Sequence, residues 1–498
     1  MNDRLAFLEA ILESPHDDAP SLIFADWLEE EGELDRADLI RAQAELATAA
    51  PEDPNRVRLE ASEYAILSKH YEDWRSEFKP CMGLFWGRFE IGLIRSAALY
   101  ADDADYVEQC LGALHAHWPV RRLWLPRISP SAARIVAQSS RLRRITELRI
   151  DCEYDESVNA VLRSPHLTNL AALECVVPRM IKSIAHWLDD LPLPMLKRLR
   201  LIWPDGETPR SAARRGSSWT GTKLARSLVE SRRLTDLERL DLSGLPLGHL
   251  GVKRLAESPS VANLRSLKLS QVDCGDKGIK AIAESPCLAR LTELIVSGNR
   301  MTDEGAAALA QSKRLTSLAK LDLSGNQIGD AGLSLLAQST SLAALTKLNA
   351  VENPIPFQDH RRYQGSAGGR LRSLDLSGGG FPTDELSMLA EWPVLSSLAT
   401  LKLNHARIGD EGATYLANWP ALQNLERLEL AHAGIGDQGG LALASRSSAL
   451  ESLLWLDVTS AQSPRHFKPS TKTALRDRFA HGVVLFSPAS HTATDDAH

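Results

Sequence analysis

The sequence predicts an α/β solenoid, in which a short strand and a helix alternate along the chain and the strands join into a parallel β-sheet. Three observations predict it. The pattern L-x-x-L-x-L recurs at near-constant spacing, each clear copy leads into a turn rich in Gly, Asn and Asp, and helical periodicity follows the turn. A single unit of this kind cannot bury its apolar side alone, so neighbouring units are expected to stack.

The repeat is clearest in the second half of the chain. Its first position is occupied by nine leucines spaced 26 to 28 residues apart, namely Leu237, Leu264, Leu291, Leu318, Leu345, Leu371, Leu398, Leu425 and Leu453. Weaker copies start upstream at Val120, Ile145, Leu170 and Leu196. These thirteen units predict one repetitive architecture rather than several unrelated domains.

Each unit contains two different periodicities. The segment LERLDLSG alternates apolar and polar residues, as a strand with one buried face does, whereas GAAALAQS has the spacing of a helix. Between such segments, Thr302 suits the helix N-cap, and Asp303 and Glu304 complement the positive end of the helix dipole. Because helices are wider than the spacing of strands, the stack is expected to bend into a horseshoe, with the sheet on the concave face and the helices on the convex face.

These units resemble the leucine-rich repeat family in its ribonuclease-inhibitor-like, helix-bearing form, over residues 120–462. The resemblance implies a scaffold that recognises proteins. It also implies a buried ladder of asparagines that satisfies backbone groups at the turns, at Asn299, Asn326 and Asn353. The ladder is incomplete, because the same position holds Leu, Val, Gly or Ala in other units.

Residues 1–50 carry a second resemblance, to a short helical repeat-companion domain found ahead of leucine-rich repeats in some bacterial proteins. The matching residues are FADWLEE at 24–30, with Asp17-Asp18 before it and Gly32 and Arg36-Ala37 after it. The resemblance implies no established activity. Fifty residues form a marginal core, so we expect this segment to dock onto the solenoid.

The predicted organisation has five segments: the helical companion domain at 1–50, a helical linker and N-terminal cap with the first strand at 51–119, the solenoid at 120–462, a C-terminal cap at 463–488 and a disordered tail at 489–498. Two units carry irregular loops, at 203–221 and 352–370. Insertions in solenoids often lie on a binding face, so both loops are candidate partner contacts; the alternative is a tolerated surface excursion.

Composition limits the possible classes of protein. A hydrophobic fraction of 44% argues against a disordered chain, and no apolar run reaches the length of a membrane span. The six cysteines form no CxxC pair, which predicts reduced, mostly buried thiols. Because the N-terminus also lacks the pattern of a secretory signal, we expect a cytoplasmic protein without a membrane segment.

Motifs of catalysis and cofactor binding are lacking in the sequence. There is no GxxxxGK[ST], no GxGxxG after a strand, no GxSxG and no HExxH. His405 and His432 occupy the same position in adjacent units and could share a metal ion, but Gly378 and Ser460 stand where a third ligand would be needed. We therefore predict no enzyme, no cofactor, no metal site and no small-molecule substrate.

The third and fifth residues of each L-x-x-L-x-L are expected to point out of the sheet, away from the leucine core. Residues 119–236 hold 21 Lys and Arg against 12 Asp and Glu, a balance of +9. Arg and Trp are favoured at protein–protein hot spots. The predicted partner-binding residues are Arg122, Trp124, Arg149, Arg198, Arg200, Arg239, Lys268 and Trp455. The alternative is a sheet face kept soluble by cross-strand ion pairs.

The sequence thus predicts a non-catalytic scaffold that binds an unidentified protein partner on its concave face. One alternative is nucleic-acid binding by the basic first half, although a pI of about 6.1 and interspersed carboxylates argue against it. Another is the repeat module of a bacterial effector or regulatory protein. Residues 1–50 hold 13 acids against three arginines, so they could screen the basic face or simply cap the end of the sheet.

Overall fold

The computed structural model describes residues 2–14, 17–49, 55–77, 83–87, 89–101, 104–114, 119–151, 154–176, 184–202, 221–354, 370–378, 386, 393–445, 449–460 and 467–486. The chain forms two compact units. The first comprises Met1–Ala50, Ser62–Cys274 and Ser285–Glu293, and the second comprises Pro51–Ala61, Gly275–Glu284 and Leu294–His498.

The described residues form short strands that alternate with helices, after four N-terminal helices. The helices are α1 (Asn2–Glu13), α2 (Ala19–Glu30), α3 (Leu34–Thr48), α4 (Arg56–Ser76), α5 (Ala104–Leu114), α6 (Pro130–Gln138), α7 (Asp155–Leu162), α8 (Ile184–Asp189), α9 (Gly221–Val229), α10 (Gly248–Ala256), α11 (Gly275–Glu284), α12 (Asp303–Ala310), α13 (Asp330–Ala337), α14 (Gly409–Ala417), α15 (Asp437–Leu443) and α16 (Pro469–Arg478). The strands are β1 (Leu84–Trp86), β2 (Phe89–Glu90), β3 (Leu93–Ile94), β4 (Ser96–Ala101), β5 (Arg122–Ile128), β6 (Glu147–Ile150), β7 (Ala172–Val176), β8 (Arg198–Ile202), β9 (Arg239–Asp241), β10 (Ser266–Lys268), β11 (Glu293–Ile295), β12 (Lys320–Asp322), β13 (Lys347–Asn349), β14 (Ser373–Asp375), β15 (Thr400–Lys402), β16 (Arg427–Glu429), β17 (Trp455–Asp457) and β18 (Val483–Leu485).

In the first unit, strands β4 to β10 pair in chain order and run parallel. Strand β1 pairs with β4 in the antiparallel direction, and β2 and β3 form a separate two-stranded hairpin. The sequence predicted only one strand within residues 51–119. The structure instead divides residues 89–101 into β2, β3 and β4, because the chain turns at Ile91 and Gly92, both of which have positive φ.

In the second unit, strands β12 to β18 also pair in chain order and run parallel. The last helix and strand, α16 and β18, continue the repeat at its C-terminal end. The predicted α/β solenoid with a parallel sheet is therefore confirmed.

The leucines of the repeat form the core of each unit. Leu240 and Leu267 in the first unit, and Leu294 and Leu321 in the second, are at most 1% exposed. The third and fifth residues of the motif flank the buried leucine and remain half-exposed in most strands, as in β12 and β15. Helices pack against the helices of neighbouring repeats, for example α6 against α7 and α12 against α13. Alternation along each strand thus separates a core side from an open side.

The N-terminal helices pack against the start of the first unit's sheet. Gly92 comes so close to α3 that an added Cβ would lie 2.2 Å from Ile40 Cγ1, and its φ of +63° is accessible mainly to glycine. The buried Arg95 donates to Asp18 Oδ1 over 2.7 Å. Arg121, which is also buried, donates to the carbonyl oxygens of Ile11 and Ser14 over 2.9 and 2.8 Å. These contacts agree with the expectation that the segment docks.

The asparagines Asn299, Asn326 and Asn353 lie in the second unit and are at most 5% exposed. The side chain of Asn326 donates to the carbonyl oxygens of Val296 and Leu323 over 3.1 and 2.8 Å. Its Oδ1 accepts from the backbone N–H groups of Asn299 and Met301 over 2.9 and 3.0 Å. One side chain therefore satisfies backbone groups of its own repeat and of the preceding repeat.

Replacing Asn326 with Ala should destabilise the second unit by about 2–3 kcal/mol, because two buried N–H donors lose their acceptor. Urea unfolding would measure the loss, and hydrogen exchange should accelerate at the amides of Asn299 and Met301. The control is Asn424→Ala, which removes one exposed bond to the carbonyl of Ser396 and should change stability by less than about 0.5 kcal/mol. Equal effects of the two substitutions would contradict a ladder role for Asn326.

Candidate partner-binding face

The open side of the sheet in the first unit presents two rows of side chains, because its parallel strands are aligned residue for residue. The third positions of the motif are neighbours from strand to strand, in the order Arg122, Glu147, Ala172, Arg198, Arg239 and Ser266. The fifth positions form the second row, in the order Trp124, Arg149, Glu174, Arg200, Asp241 and Lys268. We call these residues the first-unit face. Seven of the eight predicted partner-binding residues belong to it.

Carboxylates hold four arginines of the first-unit face in place. In one row, Glu147 lies 4.0 Å from Arg122 and 2.6 Å from Arg198. Arg198 reaches Glu147 across the strand that carries Ala172, where the side chain is only a methyl group. Arg122 also pairs with Glu90 of the hairpin.

The second row contains a similar bridge. Glu174 lies 3.4 Å from Arg149 and 2.8 Å from Arg200, and Arg200 also contacts Asp241 over 3.2 Å. Partial burial raises the pKa of the Glu174 carboxyl, although Arg200 and Arg149 act in the opposite direction. Loss of hydration at this shared carboxylate thus outweighs its attraction to the two guanidinium groups.

Trp124, at the β5 end of the face, contacts Asp151 and Arg149. Its indole N–H donates to Asp151 Oδ2 over 2.8 Å, and the guanidinium carbon of Arg149 lies 4.8 Å from the ring centroid. Arg149 Nε donates to the same Asp151 oxygen over 2.8 Å. Tyr100, which is 41% exposed, lies 6.4 Å from the Trp124 ring, and the aromatic contacts continue to the exposed Phe85.

Arg239 and Lys268 differ from the other cations of the first-unit face. Within the described part of the chain, neither of them makes an ion pair or a side-chain hydrogen bond. The strand neighbours of Arg239 are Arg198 and Ser266, and the hydroxyl of Ser266 donates to Glu293 over 2.6 Å. A groove of about 380 Å³ runs over the face, and its lining includes both free cations. The groove therefore has excess positive charge where Arg239 and Lys268 lie.

The acidic N-terminal helices contact other arginines. Asp18 pairs with Arg95 and lies 3.7 Å from Arg121, and both arginines are buried. Burial and the nearby charge of Arg95 lower the pKa of Arg121 to about 10. Among the described residues, no ion pair joins residues 2–49 to Arg149, Arg198 or Arg200.

Trp455, the eighth predicted residue, belongs to the second unit and is only 8% exposed. The guanidinium carbon of Arg427 lies 4.2 Å from its ring centroid. Arg427 in turn pairs with Glu60 of α4 over 2.6 Å. Sequence reasoning missed this contact, because nothing in the spacing of residues 51–61 connects them with a strand near residue 427.

The remaining candidates add no further chemistry. The rings of His405 and His432 stack 4.6 Å apart, and both residues have positive φ at the turn that follows their strands. In the ranges that the structure describes, no group of three or more His, Cys, Asp or Glu could hold a metal ion. The loops at 203–221 and 352–370 fall almost entirely outside the described residues.

The repeat also matches a family model, described as "Leucine Rich repeat", over residues 290–310, 314–337, 394–417 and 421–444. The chain contains leucine-rich repeats. Two solved structures that resemble it are the Rad7–Elc1 complex from yeast and the complex of TLR13 with ssRNA13. The first has a TM-score of 0.45 at 16% identity and covers 90% of this chain and 92% of that one. The second has a TM-score of 0.40 at 16% identity and covers 74% of this chain and 56% of that one.

Comparison with curated protein sequences gives no match. The described helices include none with the length and apolar character that crossing a bilayer requires.

The raised pKa of Glu174 makes its contribution to stability pH-dependent. A carboxyl whose pKa is higher in the folded state favours folding below its unfolded-state pKa, near the ordinary 4.5, and this advantage is lost as the pH rises through the folded-state value. Wild type should therefore gain stability relative to Glu174→Gln when the pH falls from 7 to 4. Urea midpoints of both proteins at the two pH values would measure it.

The control is Glu156→Gln, which removes a carboxylate that is 58% exposed and pairs with Arg134 on the helical side. It should leave the urea midpoint at pH 7 almost unchanged, because exposed ion pairs contribute little. A relative loss of wild-type stability on acidification would show that attraction to Arg149 and Arg200 dominates at Glu174.

Proposed function

We propose that this protein is a non-catalytic scaffold that binds a partner protein on the first-unit face. The observation that carries the proposal is the pair of free cations, Arg239 and Lys268, beside four arginines that already have carboxylate partners. Arg239 is exposed to solvent, and neither cation gains an ion pair from the described residues. The partner is therefore expected to present carboxylates to this end of the groove.

The paired arginines prepare the rest of the face for binding. Arg149 is fixed between Trp124, Asp151 and Glu174, so less side-chain entropy is lost when a partner covers it. Trp124 provides a broad apolar surface with its N–H group already satisfied. A rigid aromatic residue at one end and free positive charge at the other would fix the direction in which a partner lies.

The main alternative reading explains only part of the face. Cross-strand ion pairs can serve solubility alone, and this reading fits Arg122, Arg198 and Arg200. It does not explain Arg239, whose strand neighbour Arg198 carries the same charge. Nucleic-acid binding is disfavoured because Glu147, Glu174 and Asp241 lie between the cations and would repel phosphates.

The proposal also covers the role of residues 1–50 and the location of the protein in the cell. We infer that residues 1–50 are a companion domain that caps the sheet, which the contacts of Asp18 with Arg95 and Arg121 support. A cytoplasmic location is supported by the buried Cys175, which forms no disulfide with any described residue. Burial raises the pKa of the Cys175 thiol well above its ordinary value, so it is not an activated nucleophile. A bacterial origin and the domain boundaries at 50, 119, 462 and 488 stay predictions.

Changing both Arg239 and Lys268 to Glu should lower recovery of the partner in a pulldown from the source cell extract at least tenfold, because the partner's carboxylates would then meet like charge. Quantitative mass spectrometry of the recovered proteins would measure the loss. The matched control is Arg134→Glu/Lys253→Glu, which reverses two exposed charges on helices α6 and α10.

Equal recovery by wild type and the Arg239/Lys268 variant would contradict the proposed face. A parallel pulldown with nuclease-treated extract separates the alternative, since loss of recovery after that treatment would favour nucleic-acid binding. If the control variant lowers recovery of the partner as much as the Arg239/Lys268 variant does, the partner would instead bind the helical side.

A further inference from the structure

The open side of the sheet in the second unit is partly covered by a segment of this chain. The first turns of α4, at residues 56–61, lie over strands β15 and β16. Val57 is only 6% exposed there, and Glu60 pairs with Arg427 Nη1 over 2.6 Å. Arg56 supports this geometry, because its Nε lies 3.1 Å from the other oxygen of Glu60. The contact thus uses one aliphatic and one acidic side chain, three residues apart on a helix.

The surface beneath this helix is basic. A cavity of about 280 Å³ adjoins Val57 and Glu60, and its lining includes Lys347, Arg372 and Lys402. Arg427 stacks on Trp455, and Lys402 and Arg427 both pair with Glu429, over 3.1 and 2.7 Å. Lys402 and Arg427 therefore share Glu429, and Glu60 supplies a second carboxylate to Arg427.

One acceptor in this cavity has no donor. Glu426 Oε2 is buried and makes no hydrogen bond with any described residue. Burial raises the pKa of Glu426, and the nearby Arg372 only partly opposes the shift. An occupant larger than the first turns of α4 could donate to this oxygen, which the present contact leaves unsatisfied.

We propose that this basic surface, formed by Arg372, Lys402, Glu426 and Arg427, binds an acidic amphipathic helix of a partner protein, and that Val57 and Glu60 of this chain occupy it as an internal competitor. The partner helix would carry an aliphatic residue and a carboxylate at i and i+3, as Val57 and Glu60 do. It would also bring a hydroxyl, amide or ammonium donor to Glu426. This surface shares no residue with the first-unit face.

The internal segment suits a competitor because it is tethered but makes few contacts. Tethering gives it a high effective concentration at the surface, so it excludes weak or non-specific acidic helices. A partner that also satisfies Glu426 and fills the cavity would make contacts that the internal segment does not, and it would displace the segment. Binding of the partner would then release the first turns of α4.

The test uses the full-length chain and a fluorescent peptide of residues 51–66, whose sequence is PEDPNRVRLEASEYAI. In the variant Val57→Asp/Glu60→Lys the internal segment no longer fits, so this protein should bind the peptide at least tenfold more tightly than wild type does. Adding Arg427→Glu should abolish the binding. The control peptide carries the same two substitutions as the protein variant and should bind none of the three proteins. Fluorescence anisotropy measures all six combinations of protein and peptide.

A second measurement does not depend on the affinity of an isolated peptide, which is only marginally helical in water. Phenylglyoxal modification of Arg427, followed by mass spectrometry, should increase severalfold in Val57→Asp/Glu60→Lys, with Arg239 as the internal reference. Unchanged modification of Arg427, equal peptide binding by wild type and variant, or binding that survives Arg427→Glu would each overturn the proposal. None of these outcomes affects the test of Arg239 and Lys268, so the two proposals can fail independently.

Discussion

The residue-for-residue alignment of parallel strands is the constraint on which the rest of this structure depends. Because each repeat buries its central leucine, as Leu240 and Leu267 do, the residues on either side must point to the opposite face. The parallel pairing of successive motifs, residue for residue, then turns two positions of the motif into two continuous rows. A shift of one residue in any strand would exchange its core leucine for a residue of the open side, so burial of the core fixes the layout of the surface.

That layout brings together charges that are far apart in sequence. Arg198 and Glu147 are 51 residues apart, yet they pair over 2.6 Å because only the strand β7 lies between their strands in the sheet. The partnered arginines on the first-unit face are fixed in this way, and the two unpartnered cations stand out against them. The same principle makes the second unit's surface basic, where Glu429 serves two cations and Glu60 completes the pairing of Arg427. The described sheet faces therefore combine rigid, neutralised positions with a few that still lack a counter-ion.

Much of the fold follows from sequence periodicity, since apolar spacing reports directly on burial. The leucine positions gave the parallel strands, the open side and seven residues of the first-unit face, and the turn at Thr302 caps its helix as expected. Contacts between segments that do not repeat could not be found in this way. The antiparallel β1 and the pairing of Glu60 with Arg427 both involve such segments. The ion-pair partners of the arginines could not be predicted either. The order of positive and negative side chains along a row is known only when the order and alignment of the strands are known.

Pulsed electron paramagnetic resonance tests the alignment most directly. Spin labels on a non-cysteine unnatural amino acid would be placed at Ser96 and, in turn, at Arg198, Arg239 or Ser266, which follow one another on β8, β9 and β10. The account predicts distances that increase in this order by about 5 Å per strand, from about 19 Å to about 29 Å. Distances that do not increase with strand order would contradict it, and the proposed first-unit face would lose its basis.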